Sequence, residues 1–252
     1  SKAQLIPCTA ALIQEGIGSE AEGIPAFDVD ATCLSSLVGL DVCMQFLESG
    51  RCRRILLVSS EQPSRTLSAS APEAYGLFGD AAVALILGPK EASENLQMDV
   101  LAYNMRTYSS AAHSTELKMG VLRYPTQPHF EINDALFRMD GRAAFRSSAQ
   151  HMPSFVNDLL IEAGVALEDC SWVVPHQASL PAIRLLAKRL KIPQERLLMS
   201  LPNCGNTVAA SLPLTFVQSW KKGLFKSDDV VLMVGTSAGL SIAGMVVQLK
   251  MG

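Results

Sequence analysis

The sequence predicts a layered α/β fold. Short apolar runs alternate with longer segments of helical period. No low-complexity linker divides the chain, and 252 residues with 48% apolar content suffice for a sizeable core. The runs expected as strands are Ala26–Val29, Ile55–Ser59, Ala81–Leu87, Trp172–Val174, Leu197–Ser200, Val230–Val234 and Ile242–Leu249. The expected helices are Thr9–Glu15, Leu34–Leu47, Arg142–Ala163, Leu180–Leu190 and Val208–Lys221. Pro153 lies inside the third and is expected to kink or split it, because proline lacks the N–H and crowds the preceding turn. Residues from Met98 to Asn133 show no clear period.

Composition narrows the function. A net charge of −3 offers no field for nucleic acid. The six cysteines, Cys8, Cys33, Cys43, Cys52, Cys170 and Cys204, form no C-x-x-C pair, which fits a reducing, cytoplasmic setting better than a disulfide framework or a zinc site. Ser1 to Glu15 lacks the pattern of a secretory signal. The uncharged run Val230–Leu249 is long enough to cross a bilayer, but Gly235-Thr236-Ser237-Ala238-Gly239 interrupts it. Two buried strands joined by a glycine-rich turn are expected there instead of a membrane span. That turn lacks the G-x-G-x-x-G and P-loop patterns of a phosphate cradle, but a backbone N–H from it suits a developing oxyanion.

A weak internal repeat is visible. One copy runs from the strand Ala26–Val29 through Cys33, a helix and Gly50 to the strand Ile55–Ser59. The other runs from Leu197–Ser200 through Asn206, a helix and Gly223 to Val230–Val234. Cys33 and Asn206 are thereby expected at equivalent places, each at a helix start after a strand, on one shared floor.

Three residues stand out for chemistry. Cys33 is expected at a helix N-terminus, where free N–H groups and the helix dipole favour the thiolate nucleophile. On its own it reads more readily as a buried structural cysteine, since free cysteine is among the most buried residue types. His176 follows the apolar run Trp172-Val173-Val174 and precedes a helix, at a strand exit where α/β folds place reactive groups. Alone it reads as a hydrogen-bonded loop histidine, and His113, His129 and His151 read as structural or solvated. Asn206, in Gly205-Asn206-Thr207, reads either as a helix cap or as a site residue. The small residues Ala209, Ala210 and Ser211 behind it suit close helix approach.

Together these segments resemble the thiolase superfamily, and within it the β-ketoacyl-acyl-carrier-protein synthase III group. The residues that carry the resemblance are Asp28-Val29-Asp30-Ala31-Thr32-Cys33, Phe78-Gly79-Asp80-Ala81-Ala82, Val174-Pro175-His176-Gln177-Ala178, Gly205-Asn206-Thr207 with Ala209-Ala210-Ser211, and Gly235-Thr236-Ser237-Ala238-Gly239-Leu240. They run the length of the chain in the family's order. The C-terminal turn has no second cysteine, unlike degradative thiolases, and the third position is Asn206, unlike the two-histidine elongating synthases.

The resemblance implies a duplicated α/β/α/β/α five-layer sandwich. It implies an N-terminal half over residues 1–100 that carries Cys33, a connecting region over 101–140, and a C-terminal half over 141–252 that carries His176 and Asn206. It further implies an acyltransferase in which Cys33 takes the acyl group of an acyl-coenzyme A. His176 and Asn206 would bind the carbonyl of a malonyl thioester, on acyl carrier protein or coenzyme A, and promote its decarboxylation. The resulting enolate would attack acyl-Cys33 in a Claisen condensation. Backbone N–H groups of Cys33 and Ala238 would hold the oxyanion. Met139, Gly141, Phe145 and Ala178 match the coenzyme A tunnel. Ile6 matches a position that reaches across a homodimer toward the partner's acyl pocket; its size suits chains longer than acetyl, and it reads equally as ordinary interface packing. No cofactor is implied beyond the coenzyme A thioester that serves as substrate. Relatives carry a further N-terminal segment, so the chain is expected to be a fragment. Ser179 and Pro181 depart from the residues usual in relatives. Alternatives are an acyl-transferring or non-decarboxylative relative in secondary metabolism, and a non-catalytic partner of a heterodimeric synthase.

Overall fold

A run that is apolar at every position suits a strand buried on both faces, with successive side chains entering different cores. The last two strands meet that condition and organise the molecule. A computed structural model describes the chain except residues 3, 69–71, 91–95, 121–125, 127 and 252. The strands are β1 (Ile55–Glu61), β2 (Ala81–Leu87), β3 (Leu96–Thr107), β4 (Thr115–Glu116), β5 (Arg138–Met139), β6 (Cys170–Pro175), β7 (Val230–Ser237) and β8 (Ser241–Met251). The helices are α1 (Thr9–Ile17), α2 (Ser35–Glu48), α3 (Pro72–Tyr75), α4 (Gly141–Ala163), α5 (Leu180–Leu190), α6 (Leu201–Cys204) and α7 (Ser211–Lys221).

Strands β3, β8, β7 and β6 form one sheet in that order, antiparallel except for the parallel pair β6–β7. Val230, Leu232 and Val234 of β7, with Ile242 and Val246 of β8, pack on Phe155, Val156 and Leu159 of α4. Val231 and Met233, with Met245, Val247 and Leu249, face the other way, onto Leu37 and Leu40 of α2 and Leu212 and Phe216 of α7. Beyond that helical pair lies the antiparallel sheet β1–β2, which adds Leu57, Leu85 and Leu87 to the same core. Four layers of the expected five therefore succeed one another among the described residues: α4 with α5, the larger sheet, α2 with α7, and β1–β2. On the far face of β1–β2, Leu56 and Ile86 are exposed. No helix among the described residues is long and apolar enough to cross a membrane.

Several expectations need correction. Ala26–Val29 and Leu197–Ser200 are extended-looking runs without a ladder; Leu197 makes a single bridge to Val173. An apolar run sets local extension, but a strand also needs a neighbour. Helix α4 runs unbroken through Pro153. The expected helix Val208–Lys221 begins with a 3-10 turn, Val208–Ala210, and becomes α-helical at Ser211. Most of strand β3, from Met98 to Thr107, falls in the stretch that showed no period, and the strand spans residue 100. Leu96, Met98 and Val100 pack on the α2–α7 side, whereas beyond a register shift between Val100 and Ala102 it is Tyr103 and Met105 that do so. The bulge switches the parity of the buried positions, so no single alternation spans the strand. The unusual Ser179-Leu180-Pro181 is a local helix start: Ser179 Oγ accepts from Ala182 N (3.3 Å), and Pro181 occupies the first turn of α5.

Candidate active site

Cys33 lies in a 3-10 turn, Thr32–Leu34, that leads into α2. Polar side chains shape this turn. Asp30 Oδ1 accepts from Thr32 N (3.1 Å), and Ser35 Oγ accepts from Ala31 N (2.9 Å) while donating to Thr32 O (2.7 Å). Thr32 adopts φ +50°, a left-handed conformation rare for a β-branched residue.

The second copy of the repeat has the same shape. Asn206 Oδ1 accepts from Val208 N (2.9 Å), Val208 has φ +50°, the 3-10 turn Val208–Ala210 follows, and α7 begins at Ser211. Asn206 is therefore the counterpart of Asp30, and Cys33 is the counterpart of Ala209. This corrects the expected pairing of Cys33 with Asn206. Each Asp or Asn bonds the backbone two residues on, which defines the register. The two turns pack against each other, and the Cys33 turn also packs on β7.

Asn206 is held from both sides. Its N–H donates to Leu77 O (2.9 Å), and its carbonyl accepts from Gly79 N (3.1 Å). The approach demands glycine, because a methyl group at Gly79 would collide with the carbonyl oxygen of Cys204. That accounts for Phe78-Gly79 physically. The Asn206 amide then reaches Ala178 O through Nδ2 (3.3 Å), joining the asparagine turn to the histidine segment.

His176 leaves the end of β6 with its N–H donated to Val234 O (2.8 Å). The ring is buried, and Nδ1 lies 2.6 Å from Ser211 Oγ. Burial pushes its pKa down to about 4, so the imidazole is neutral near pH 7. The neighbouring Gln177 is fully buried and fully bonded. Nε2 donates to Pro175 O (2.6 Å) and Leu198 O (3.4 Å), while Oε1 accepts from Ser200 N and Leu201 N (both 3.1 Å). Gln177 is thus a bracket that pins the histidine segment to the chain entering α6. Gly235 on β7 is the meeting point: a methyl there would lie 2.6 Å from His176 Cβ and 3.2 Å from Leu34 Cδ2. The segments carrying Cys33, His176 and Asn206 therefore converge on one region.

The cysteine differs electrostatically from expectation. Its surroundings push the thiol up to about 12, first by burial and then through the Glu61 carboxylate. A helix start favours a thiolate by a modest amount, and here desolvation outweighs it. The resting group is the neutral thiol.

A cleft of about 560 Å³, counting its open part, reaches His176 and Gly235 between α4 and α5. Phe145 and Ala178 line it, with Met152, Ile183 and Arg189; Cys33 and Asn206 are not among its lining residues. Met139 and Gly141 also lie outside the lining. They sit side by side on β5 and at the start of α4, where a methyl on Gly141 would meet Met139 Cε at 3.7 Å. Ala238 is half-buried in the turn between β7 and β8, with Ser237 Oγ donating to its carbonyl (3.3 Å). Ile6 is highly exposed and is not among the residues lining the cleft. Among the described residues, no group of three or more His, Cys, Asp or Glu side chains could hold a metal ion.

Sequence reasoning missed Ser211, Gln177 as a bracket, and Glu61. Ser211 stood in a quoted motif, but as a small residue. Its spacing from Asn206 is that of Ser35 from Asp30, and the repeat was the available signal.

Residues 27–109 match the family model of 3-oxoacyl-[acyl-carrier-protein] synthase III, and residues 160–249 match the C-terminal model of the same family. A β-ketoacyl-[acyl-carrier-protein] synthase III from Synechocystis sp. is 32% identical over 243 residues, covering 95% of this chain and 72% of the relative. The crystal structure of a 3-oxoacyl-[acyl-carrier-protein] synthase III from Aquifex aeolicus superposes with a TM-score of 0.83 at 28% identity, covering 97% of this chain and 73% of that one. Xanthomonas campestris OleA shares the fold, with a TM-score of 0.83 at 19% identity over 98% of this chain and 71% of that one.

Proposed function

Because this chain belongs to the 3-oxoacyl-[acyl-carrier-protein] synthase III family, and so is an acyltransferase-type condensing enzyme of the thiolase fold, we propose that Cys33 carries the acyl group while His176 and Asn206 activate the extender. The observation that carries this assignment is the donor inventory of Asn206. Its Oδ1 is taken by Val208 N–H and one Nδ2 hydrogen by Ala178 O, which leaves the other Nδ2–H for substrate, on the segment next to the neutral imidazole of His176.

In the first step Cys33 Sγ attacks the carbonyl of an acyl-coenzyme A. Its proton passes to the departing coenzyme A sulfur, giving acyl-Cys33 and free coenzyme A. A thiol as high as about 12 loses that proton during attack and is not pre-ionised. The malonyl thioester then loses carbon dioxide, and the electron pair of the broken C–C bond becomes an enolate. His176 Nε2–H and Asn206 Nδ2–H donate to its oxygen; two neutral donors in a dry site suit a developing anion. The enolate carbon attacks acyl-Cys33, backbone N–H groups of Cys33 and Ala238 hold the tetrahedral oxyanion, and collapse returns the Cys33 sulfur, which regains a proton.

Phe145 and Ala178, with Met139 and Gly141 near the start of α4, guide the pantetheine arm. The reading includes malonyl-acyl carrier protein or malonyl-coenzyme A as extender and a homodimer in the cytoplasm. Ile6 faces the partner's acyl pocket across that dimer. Its small side chain and exposed position support acceptance of acyl chains longer than acetyl, which a chain-length profile with acyl-coenzyme A thioesters checks; strict acetyl preference removes that assignment.

The deciding experiment pairs intact-mass measurement with carbon dioxide release. The protein is expected to gain one acyl mass from an acyl-coenzyme A, and Cys33→Ala to gain none. Carboxyl-labelled malonyl thioester is expected to release labelled carbon dioxide. An acyl adduct without that release favours acyl transfer without decarboxylation, and absence of any adduct favours a non-catalytic partner.

A further inference from the structure

We propose that Ser211 is a positioning residue that sets the tautomer of His176, so that Nε2 carries the ring proton and presents it to the substrate. The proposal deepens the reading above and rests on it for the role of that proton.

The buried network around Ser211 has a fixed inventory of protons. Ser211 Oγ has two partners among the described residues: His176 Nδ1 at 2.6 Å and the backbone N–H of Gln177 at 3.4 Å. The second can only donate. A neighbouring hydroxyl offers no outlet either. Thr215 Oγ1 donates its proton to the Ser211 carbonyl (2.8 Å) and so receives the proton of Ser200 Oγ at 2.7 Å. The hydroxyl proton of Ser211 therefore has one acceptor, Nδ1. If Nδ1 carried the proton instead, Ser211 Oγ would receive two donors and its own O–H would be buried without an acceptor, the arrangement that folded proteins avoid. Ser211, Ser200, Thr215 and Gln177 are all fully or almost fully buried, so water offers no easy alternative.

The repeat shows what Ser211 has given up. Its counterpart Ser35 spends both hydrogen bonds on its own turn, accepting from Ala31 N and donating to Thr32 O. Ser211 begins the equivalent helix but directs its hydroxyl to a side chain 35 residues away in sequence. The two halves share the turn, and only the one beside His176 uses the serine to fix a ring.

The test is nitrogen NMR of the whole protein labelled at histidine nitrogen, with the His176 signals identified by their loss in His176→Asn. The wild type is expected to show the Nε2–H pattern. Ser211→Ala is expected to shift it toward Nδ1–H and to slow carbon dioxide release from a malonyl thioester about tenfold or more, short of the roughly 10²–10³-fold loss from deleting a donor outright. Acyl transfer to Cys33 should change less than about twofold, because the oxyanion donors are untouched. Ser211→Thr, which keeps the hydroxyl, is expected to restore both signal and rate. An Nδ1–H pattern in the wild type overturns the proposal, and so does a Ser211→Ala protein with unchanged pattern and rate. If Ser211→Ala does not fold, the wild-type pattern decides alone. Failure of the decarboxylation reading looks different: the Nε2–H pattern persists while no carbon dioxide is released.

Discussion

Thr32 and Val208 hold the same left-handed backbone conformation, φ +50° in each, at matching positions of the two turns that meet beside the candidate site. Neither is glycine, and both are β-branched. Residues held in such regions cost about 1–3 kcal/mol and persist where their surroundings over-determine them.

Thr32 is exposed, so Thr32→Gly loses little packing. Relief of about 1–3 kcal/mol of strain opposes a glycine entropy cost of about 0.5–1 kcal/mol. The melting temperature is expected to hold or rise. A fall equivalent to more than about 1 kcal/mol in thermal unfolding would show that the conformation carries no strain.

If Asp30 and Asn206 are true counterparts, Asp30→Asn keeps the one acceptor that the Cys33 turn uses. Stability and the alkylation rate of Cys33 should both stay close to wild type. Asp30→Ala removes that acceptor and should cost about 1 kcal/mol, the usual value of such a cap.

Gly79→Ala forces a methyl group onto the backbone of Cys204, next to the bond from Gly79 N to Asn206 O. A backbone carbonyl yields poorly, so the loss should reach about 3 kcal/mol, the upper end for overpacking. Decarboxylation is expected to fall more than acylation of Cys33. Equal losses in the two assays would mean that Asn206 is not the element displaced.

The Cys33 thiol, raised from the usual 9 to about 12, makes two pH predictions. Alkylation by iodoacetamide should keep climbing through pH 9, with no plateau near neutrality. Stability follows the sign of a raised pKa: the contribution is complete below about pH 9 and is lost as pH rises toward 12, because the unfolded thiol ionises first. Cys33→Ala should flatten the alkaline limb of a stability-versus-pH curve.

His176 behaves in the opposite sense. Its value falls from the usual 6.5 to about 4, so the unfolded chain binds a proton more readily. Stability from this group is present above about pH 6.5 and lost as pH falls toward 4, on the order of 3 kcal/mol in all. Denaturant melts of wild type and His176→Asn between pH 7 and pH 4 check this; parallel curves would contradict it.

Much of the architecture was legible. Strands β2 and β7, and helices α2, α4 and α5, follow from hydrophobic period, with Gly50 closing α2. Strand β3 was not legible, because its bulge moves the buried side chains from even to odd positions. The runs at 26–29 and 197–200 misled for the converse reason, since their composition suits a strand but neither builds a ladder with a neighbour, the second stopping at one bridge from Leu197 to Val173.

By itself, the order of residues determined which groups are available: a thiol before one helix, an imidazole after a buried strand, a carboxamide before another helix, and the glycines that let their segments touch. The tertiary structure alone decided where the protons sit. Desolvation holds Cys33 neutral, burial holds His176 neutral, and Ser211 selects which ring nitrogen is protonated. Those outcomes depend on solvent exclusion and on partners distant in sequence, and neither exists until the two halves of the repeat have packed together.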